Sequence, residues 1–145
     1  GRAFQEIVTA AKAARPDARI EGVSVQEMAR PGTEVIVGMT RDPGFGPLLM
    51  FGLGGVMVEL MKDVSFRLAP VTRRDAAAMI REIKGSPLLD GFRGREPVDT
   101  ALLEEIILKV SDFALEHPEI KEMDLNPIYA YRDGAVAVDA RFIIE

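Results

Sequence analysis

Two turn signals, Asp42-Pro43-Gly44 and Asp133-Gly134, each lie between stretches of alternating apolar and polar residues. They constrain the fold more than any other feature of the chain. Connections this short cannot make the crossover that parallel strands require, so the strands they join must pair antiparallel. Arg30-Pro31-Gly32 is a third signal of the same kind. The flanking runs then read as strands over residues 20–29, 34–40 and 46–51, with Val23 and Val25 alternating against Ser24 and Gln26 in the first. Gly52-Leu53-Gly54-Gly55 interrupts the third run, and residues 64–69 form a further short strand. The chain ends in a hairpin over residues 123–131 and 135–144. Its Asp-Gly junction is a strong short-range hairpin signal.

Helical periodicity fills the remaining stretches. Phe4, Ile7, Val8 and Ala11 share one face of a first helix over residues 3–14, which Pro16-Asp17 ends. Thr72 caps a second helix with Asp75 at the capping-box position; Ala76, Ile80 and Ile83 are its apolar face, and Gly85 closes it. Asp99 or Thr100 caps a third, whose stripe is Leu103, Ile106, Ile107, Val110, Phe113 and Ala114, and Pro118 stops it. The order predicts an α+β fold, a mostly antiparallel sheet with helices packed on one face.

Composition narrows the class. The 145 residues are 48% hydrophobic, enough for a core, and their net charge of −5 argues against a nucleic-acid binder. No apolar run is long enough to span a membrane, and no signal peptide is visible, so a cytoplasmic location is expected. With no cysteine, thiolate metal sites and disulfides are excluded. The chain begins at Gly1 without an initiator Met, which leads us to expect a piece of a longer protein.

The C-terminal hairpin carries the chemistry. If Asp133-Gly134 is a two-residue turn, Arg132 opposes Ala135 and Asn126 faces Arg141. Alternation then puts Asp124, Asn126, Asp139 and Arg141 on one face, with Asn126 diagonal to Asp139. Leu125, Val138, Ala140 and Phe142 take the other face as core. Carboxylate and amide oxygens are hard ligands that suit magnesium, and a guanidinium can fork onto a phosphate oxygen. The alternative is a solvated strand face with a surface ion pair. Gly54 and Gly55 would let backbone N–H groups approach phosphates, or simply form a bend. The stretch is neither a phosphate-binding P-loop nor a dinucleotide fingerprint.

Three stretches together carry a family resemblance. The first is Glu34-Val35-Ile36-Val37-Gly38 running into Arg41-Asp42-Pro43-Gly44-Phe45-Gly46-Pro47. The second is Met50-Phe51-Gly52-Leu53-Gly54-Gly55, followed by Glu59, Lys62-Asp63 and Phe66-Arg67-Leu68-Ala69-Pro70. The third is Met123-Asp124-Leu125-Asn126-Pro127 with the later Asp139. The chain resembles the ATP-grasp half of the ADP-forming acetyl-CoA and acyl-CoA synthetases of beta-subunit type, relatives of succinyl-CoA synthetase. The resemblance implies that residues 1–145 are the C-terminal ATP-grasp subdomain with the helix that connects to it.

It also implies roles. Asn126 and Asp139 correspond to magnesium (Mg2+) ligands, and Asp124 to an acidic residue near a phosphorylated histidine. Arg141 is the candidate cation on the transferring group. Gln26, Glu27 and Met28 fall at the adenine hinge, and Glu34, Gly54 and Gly55 along the nucleotide cleft. The activity implied is interconversion of acyl-CoA, ADP and phosphate with free acid, ATP and CoA through a phosphohistidine carried elsewhere. ATP/ADP is then the substrate, and an alpha-type CoA-binding subunit or domain the partner. The resemblance assigns no role to Gly91-Phe92-Arg93-Gly94-Arg95. Favourable contact with a helix C-terminus accounts for His117, the only histidine. Neither the phosphate-binding lysine nor the phosphorylated histidine of the family is present, so the chain alone is expected to be inactive. Two other readings stand beside this one: a regulatory ATP-grasp-like domain fused to a protein acetyltransferase, and a non-enzymatic interaction module.

Overall fold

A computed structural model describes residues 1–55, 61–94 and 96–144. Glu59 and Arg95, both quoted in the motifs above, lie outside the described residues. Among the described residues the elements run α1 (Arg2–Ala14), β1 (Thr33–Asp42), β2 (Gly46–Leu53), β3 (Val64–Leu68), α2 (Arg73–Glu82), a short 3-10 turn (Ser86–Leu88), α3 (Thr100–Glu116), β4 (Ile120–Ala130), β5 (Ala135–Ala137) and β6 (Ala140–Ile144). The six strands form one antiparallel sheet in the order β3-β2-β1-β4-β5, and β6 also pairs with β4. Helices α2 and α3 cover one face. This is the expected α+β layout.

The hairpin at Asp42-Pro43-Gly44 forms as predicted. Asp42 Oδ1 accepts the backbone N–H groups of Gly44 and Phe45 at 2.7 and 2.9 Å, tightening the turn. Gly46 re-enters the sheet at φ +84°, a left-handed conformation that suits glycine. Strand β2 continues through Gly52 and Leu53, so only Gly54-Gly55 lies beyond it.

One expected strand is absent. Residues 20–29 have no regular structure, and Val25 and Met28 are 94% and 90% exposed. The edge of β1 that this run was expected to pair with is occupied by β4, with Thr33 opposite Ala130 and Val37 opposite Leu125. Gln26, Glu27 and Met28 therefore do not end a strand. They stand in an exposed segment before Arg30, where the chain is fastened to the sheet. Arg30 pairs with Asp133, its guanidinium lies 4.2 Å from the Tyr131 ring centroid, and its carbonyl accepts the Tyr131 hydroxyl at 2.6 Å.

The core lies between sheet and helices. Val35, Val37 and Met39 of β1 and Leu49, Phe51 and Leu53 of β2 meet Ala76, Met79 and Ile80 of α2 and Leu103, Ile107, Val110 and Ala114 of α3. Each large apolar side chain buried here contributes about 1.5–3 kcal/mol relative to exposure. The polar groups inside are largely bonded. Ser65 donates to the Met79 carbonyl at 2.9 Å, and Ser111 accepts the Val71 N–H at 2.9 Å.

Caps mark the helix ends. Thr72 and Asp75 form the predicted capping box, and Asp99 accepts the Leu102 N–H at 3.1 Å. Gly85 does not close α2. That helix ends at Glu82, and Gly85 opens the 3-10 turn at φ −77°. None of the residues of α1 is buried, with Phe4 and Ile7 about half exposed.

Candidate functional site

The face of the sheet away from α2 and α3 is built by strict alternation. On β1 it presents Ile36, Gly38 and Thr40, and on β2 Leu48, Met50 and Gly52. The register sets these in rows that cross the sheet. Phe66 of β3 lies opposite Met50, Met50 opposite Gly38, Gly38 opposite Asp124, and Asp124 opposite Arg141. The neighbouring row runs from Leu68 through Leu48 and Thr40 to Glu122. This face is therefore apolar over β3 and β2 and charged over β4 and β6. Phe66 and Leu68 remain nearly half exposed.

The C-terminal hairpin differs in register from the expected one. Tyr131 opposes Gly134, with its N–H on the Gly134 carbonyl at 2.8 Å, and Ala130 pairs with Ala135. Arg132 and Asp133 are thus the turn residues. Neither Asp133 nor Gly134 takes the positive φ that an Asp-Gly hairpin turn of the mirror-image type requires. Asp133 is instead engaged by Arg30. The pairing slips by two residues, and because strand alternation has a period of two, the slip preserves the faces. Asn126 comes directly opposite Asp139 rather than diagonal to it, with the Asn126 N–H on the Asp139 carbonyl at 3.2 Å. Asp124 comes directly opposite Arg141.

A bulge sits at the same place. Relative to β1, β4 carries one extra residue between Leu125 and Ile128, at the cis Asn126-Pro127 bond. The bulge exchanges the faces of β4, so Met123 and Leu125 point to the helices before it, and Ile128 and Ala130 after it. This corrects the expected core face of the hairpin. Leu125 is partly buried on the core, but Val138, Ala140 and Phe142 are exposed. The exchange of faces and the distance of the edge strand from the helices leave them uncovered. Phe142 meets the Phe113 ring edge-on at 6.2 Å.

Asn126 and Asp139 are both exposed. One Asp139 oxygen accepts the Ala140 N–H at 2.8 Å, which orients the carboxylate. No cluster of three or more His, Cys, Asp or Glu side chains suited to a metal occurs among the described residues. The expected pair offers one carboxylate and one amide oxygen. Such an open pair suits magnesium, which keeps waters and takes its other ligands from substrate phosphates.

At the end of the sheet, Glu34 and the glycine pair come together. The Gly54 N–H donates to the Glu34 carbonyl at 2.7 Å. A Cβ on Gly54 would meet Glu34 Cβ at 2.8 Å, and one on Gly55, which holds φ +64°, would meet the Glu34 carboxylate at 3.0 Å. Only glycine fits both places. The structure does not bring Gln26, Glu27 and Met28 into this packing. His117 pairs with Glu119 at 3.0 Å and leans on Phe113 beyond the end of α3.

Sequence reasoning missed two residues that shape this region, Asp63 and Gly85. The Asp63 carboxylate is buried and accepts the N–H groups of Lys84 and Gly85, each at 2.7 Å. A glycine just past a helix is the available signal, and taken alone it indicates only a helix stop.

Known proteins resemble this chain in sequence and fold. Residues 1–144 match the ATP-grasp domain family. The chain is 58% identical over 142 residues to the beta subunit of an ADP-forming acetate–CoA ligase I of Pyrococcus furiosus, covering 98% of this chain and 61% of that protein. It is 51% identical over 143 residues to an ADP-forming acetate–CoA ligase I of Archaeoglobus fulgidus, covering 99% of this chain and 21% of that one. A solved structure of an acetyl-coenzyme A synthetase from Ca. Korarchaeum cryptofilum contains coenzyme A, acetyl-coenzyme A and a phosphorylated phosphohistidine segment. It superposes with a TM-score of 0.94 at 51% identity, covering 99% of this chain and 64% of that chain. Another structure of that synthetase holds coenzyme A and Mg-AMPPCP with the phosphohistidine segment pointing towards the nucleotide binding site. It superposes at 0.82 with 51% identity, covering 94% of this chain and 63% of that one. The chain spans less than two thirds of each of these relatives. With this sheet and the family match across residues 1–144, the chain belongs to the ATP-grasp family.

Proposed function

We propose that this chain is the nucleotide- and magnesium-binding part of an ADP-forming acyl-CoA synthetase. In this reading residues 1–145 are the C-terminal subdomain of its ATP-grasp domain, with α1 as the connecting helix. The full protein interconverts acyl-CoA, ADP and phosphate with acid, ATP and CoA through a phosphohistidine. It works in the cytoplasm with an alpha-type CoA-binding subunit or domain. The observation that carries the reading is Asn126 set directly opposite Asp139, two residue pairs along from Asp124 and Arg141 and so on the same face. The relatives' activity and the Mg-AMPPCP bound by one of them support it.

Each residue then has a part. Asn126 and Asp139 hold magnesium, which neutralises phosphate charge when bound. Arg141 forks onto an oxygen of the transferring phosphoryl group and offsets the charge spread there in the transition state. Asp124, next to it, orients the incoming imidazole by accepting its ring N–H. Glu34, Gly54 and Gly55 form one wall of the nucleotide cleft, where the glycines allow close backbone approach. Gln26, Glu27 and Met28 supply backbone groups to the adenine. Little covalent chemistry falls to the protein in such a transfer, and positioning with charge neutralisation does most of it.

The test is Asp139→Ala in the full-length protein. It should abolish magnesium-dependent transfer between nucleotide and histidine while the fold, followed by circular dichroism, stays intact. Full activity in this variant would overturn the metal assignment.

A further inference from the structure

Asp63 is only 7% exposed, and its carboxylate accepts hydrogen bonds from two backbone N–H groups, those of Lys84 and Gly85. Burying a carboxylate is costly unless its bonds compensate. Here they hold the corner between α2 and the 3-10 turn in one place. Gly85 at that corner is pressed against Leu53. A Cβ there would stand 2.2 Å from Leu53 Cδ1 and 3.3 Å from Leu53 Cγ. Since Gly85 has φ −77°, its conformation does not demand glycine, and the close approach does. Leu53 is 2% exposed and is the last residue of β2, directly before Gly54-Gly55. On the other side Gly54 is bonded to Glu34. The glycine pair is therefore held from two directions, by the β1 backbone and by a relay from Asp63 through Gly85 to Leu53.

We propose that Asp63 and Gly85 are positioning residues that set the place of Gly54-Gly55 and so the affinity for the nucleotide. This rests on the reading of Gly54-Gly55 as one wall of the nucleotide cleft. Neither residue touches the nucleotide; both act through Leu53. Displacing Leu53 shifts the peptide that must approach the phosphates, and misplacements of about 1 Å are costly where bound groups must be held in place.

The experiment measures binding of Mg-ADP by calorimetry, with thermal unfolding, in the full-length protein. Gly85→Ala should weaken Mg-ADP binding roughly tenfold. Adding Leu53→Val removes the δ-methyl that the new Cβ would strike. The double variant should recover most of the affinity while its melting temperature falls further, because a core methyl is lost. Affinity and stability moving in opposite directions is a result that a purely structural role does not produce. Asp63→Asn, which replaces an acceptor by an amide facing a backbone N–H, should weaken binding in the same sense. If the wild-type protein binds no Mg-ADP, the nucleotide reading itself fails. If it binds and Gly85→Ala binds equally well, or the double variant shows no recovery, the positioning role is overturned. Should Gly85→Ala not fold, wild-type affinity in Asp63→Asn overturns it instead.

Discussion

Replacing Arg41 with alanine removes three hydrogen bonds at once. Its guanidinium donates to the carbonyls of Ala114 and His117 at the end of α3, and to that of Ile120 at the start of β4, the last at 3.1 Å. A cation at a helix C-terminus is favoured by the helix dipole, and the planar fork reaches several carbonyls in a way a lysine does not. The side chain is part-buried, so its loss strands acceptors that water reaches poorly. Arg41→Ala should therefore destabilise the fold by about 2–4 kcal/mol. Arg41→Lys should recover less than half of that. Urea denaturation of the two variants checks both expectations, and a loss below about 0.5 kcal/mol, typical of a surface site, would refute this account.

Helix α2 shows how an element's stability responds to pH. The Asp75 carboxyl accepts the Thr72 hydroxyl and the Thr72 backbone N–H, while the Asp75 N–H donates to the Thr72 oxygen at 3.2 Å. These hydrogen bonds hold Asp75 below its ordinary value of 3.8. A carboxyl lowered in the folded state contributes stability that is fully present above its ordinary value. That contribution is lost as pH falls through the lower folded value. Asp75→Asn should therefore lower stability at pH 6 but lose less of it than the wild type between pH 6 and pH 2. Equal acid sensitivity in chemical denaturation at the two pH values would refute the role of this cap. The box was legible in the sequence because its chemistry is local, and so were the Asp42 turn and the stripe of α3. Residues 20–29 show what was not legible. Their alternation is real, but a strand needs an open edge, and β4 takes that edge of β1 from nearly a hundred positions away. The hairpin register failed for a similar reason, since Asp133 is held by Arg30 from far back in the chain. The candidate metal pair survived the slip because a shift of two residues keeps every side chain on its face.

At the scale of the whole molecule, the face of the sheet turned away from α2 and α3 bears on what this chain can do alone. Its charged half carries Asp124, Asn126, Asp139 and Arg141, and its apolar half carries Met50, Phe66 and Leu68. No helix among the described residues is long and apolar enough to cross a membrane. On the proposed reading, the cover is the remainder of an ATP-grasp domain, closing over a nucleotide laid across both halves. The energetics follow from exposure. Ion pairs formed at a solvent-facing surface are worth about 0–1 kcal/mol each, whereas micromolar affinity needs roughly −8 kcal/mol. One wall with one or two such contacts falls well short of that sum. Excluding water between two walls strengthens each charge contact several-fold through the lower effective dielectric. Residues 1–145 by themselves should accordingly give no Mg-ATP binding tighter than about 1 mM by isothermal titration. The full-length protein should bind Mg-ATP at least a hundredfold more tightly, with the difference shrinking in Asp139→Ala. Micromolar binding by the 145-residue chain would show that this face is a complete site, and the half-site reading would fall.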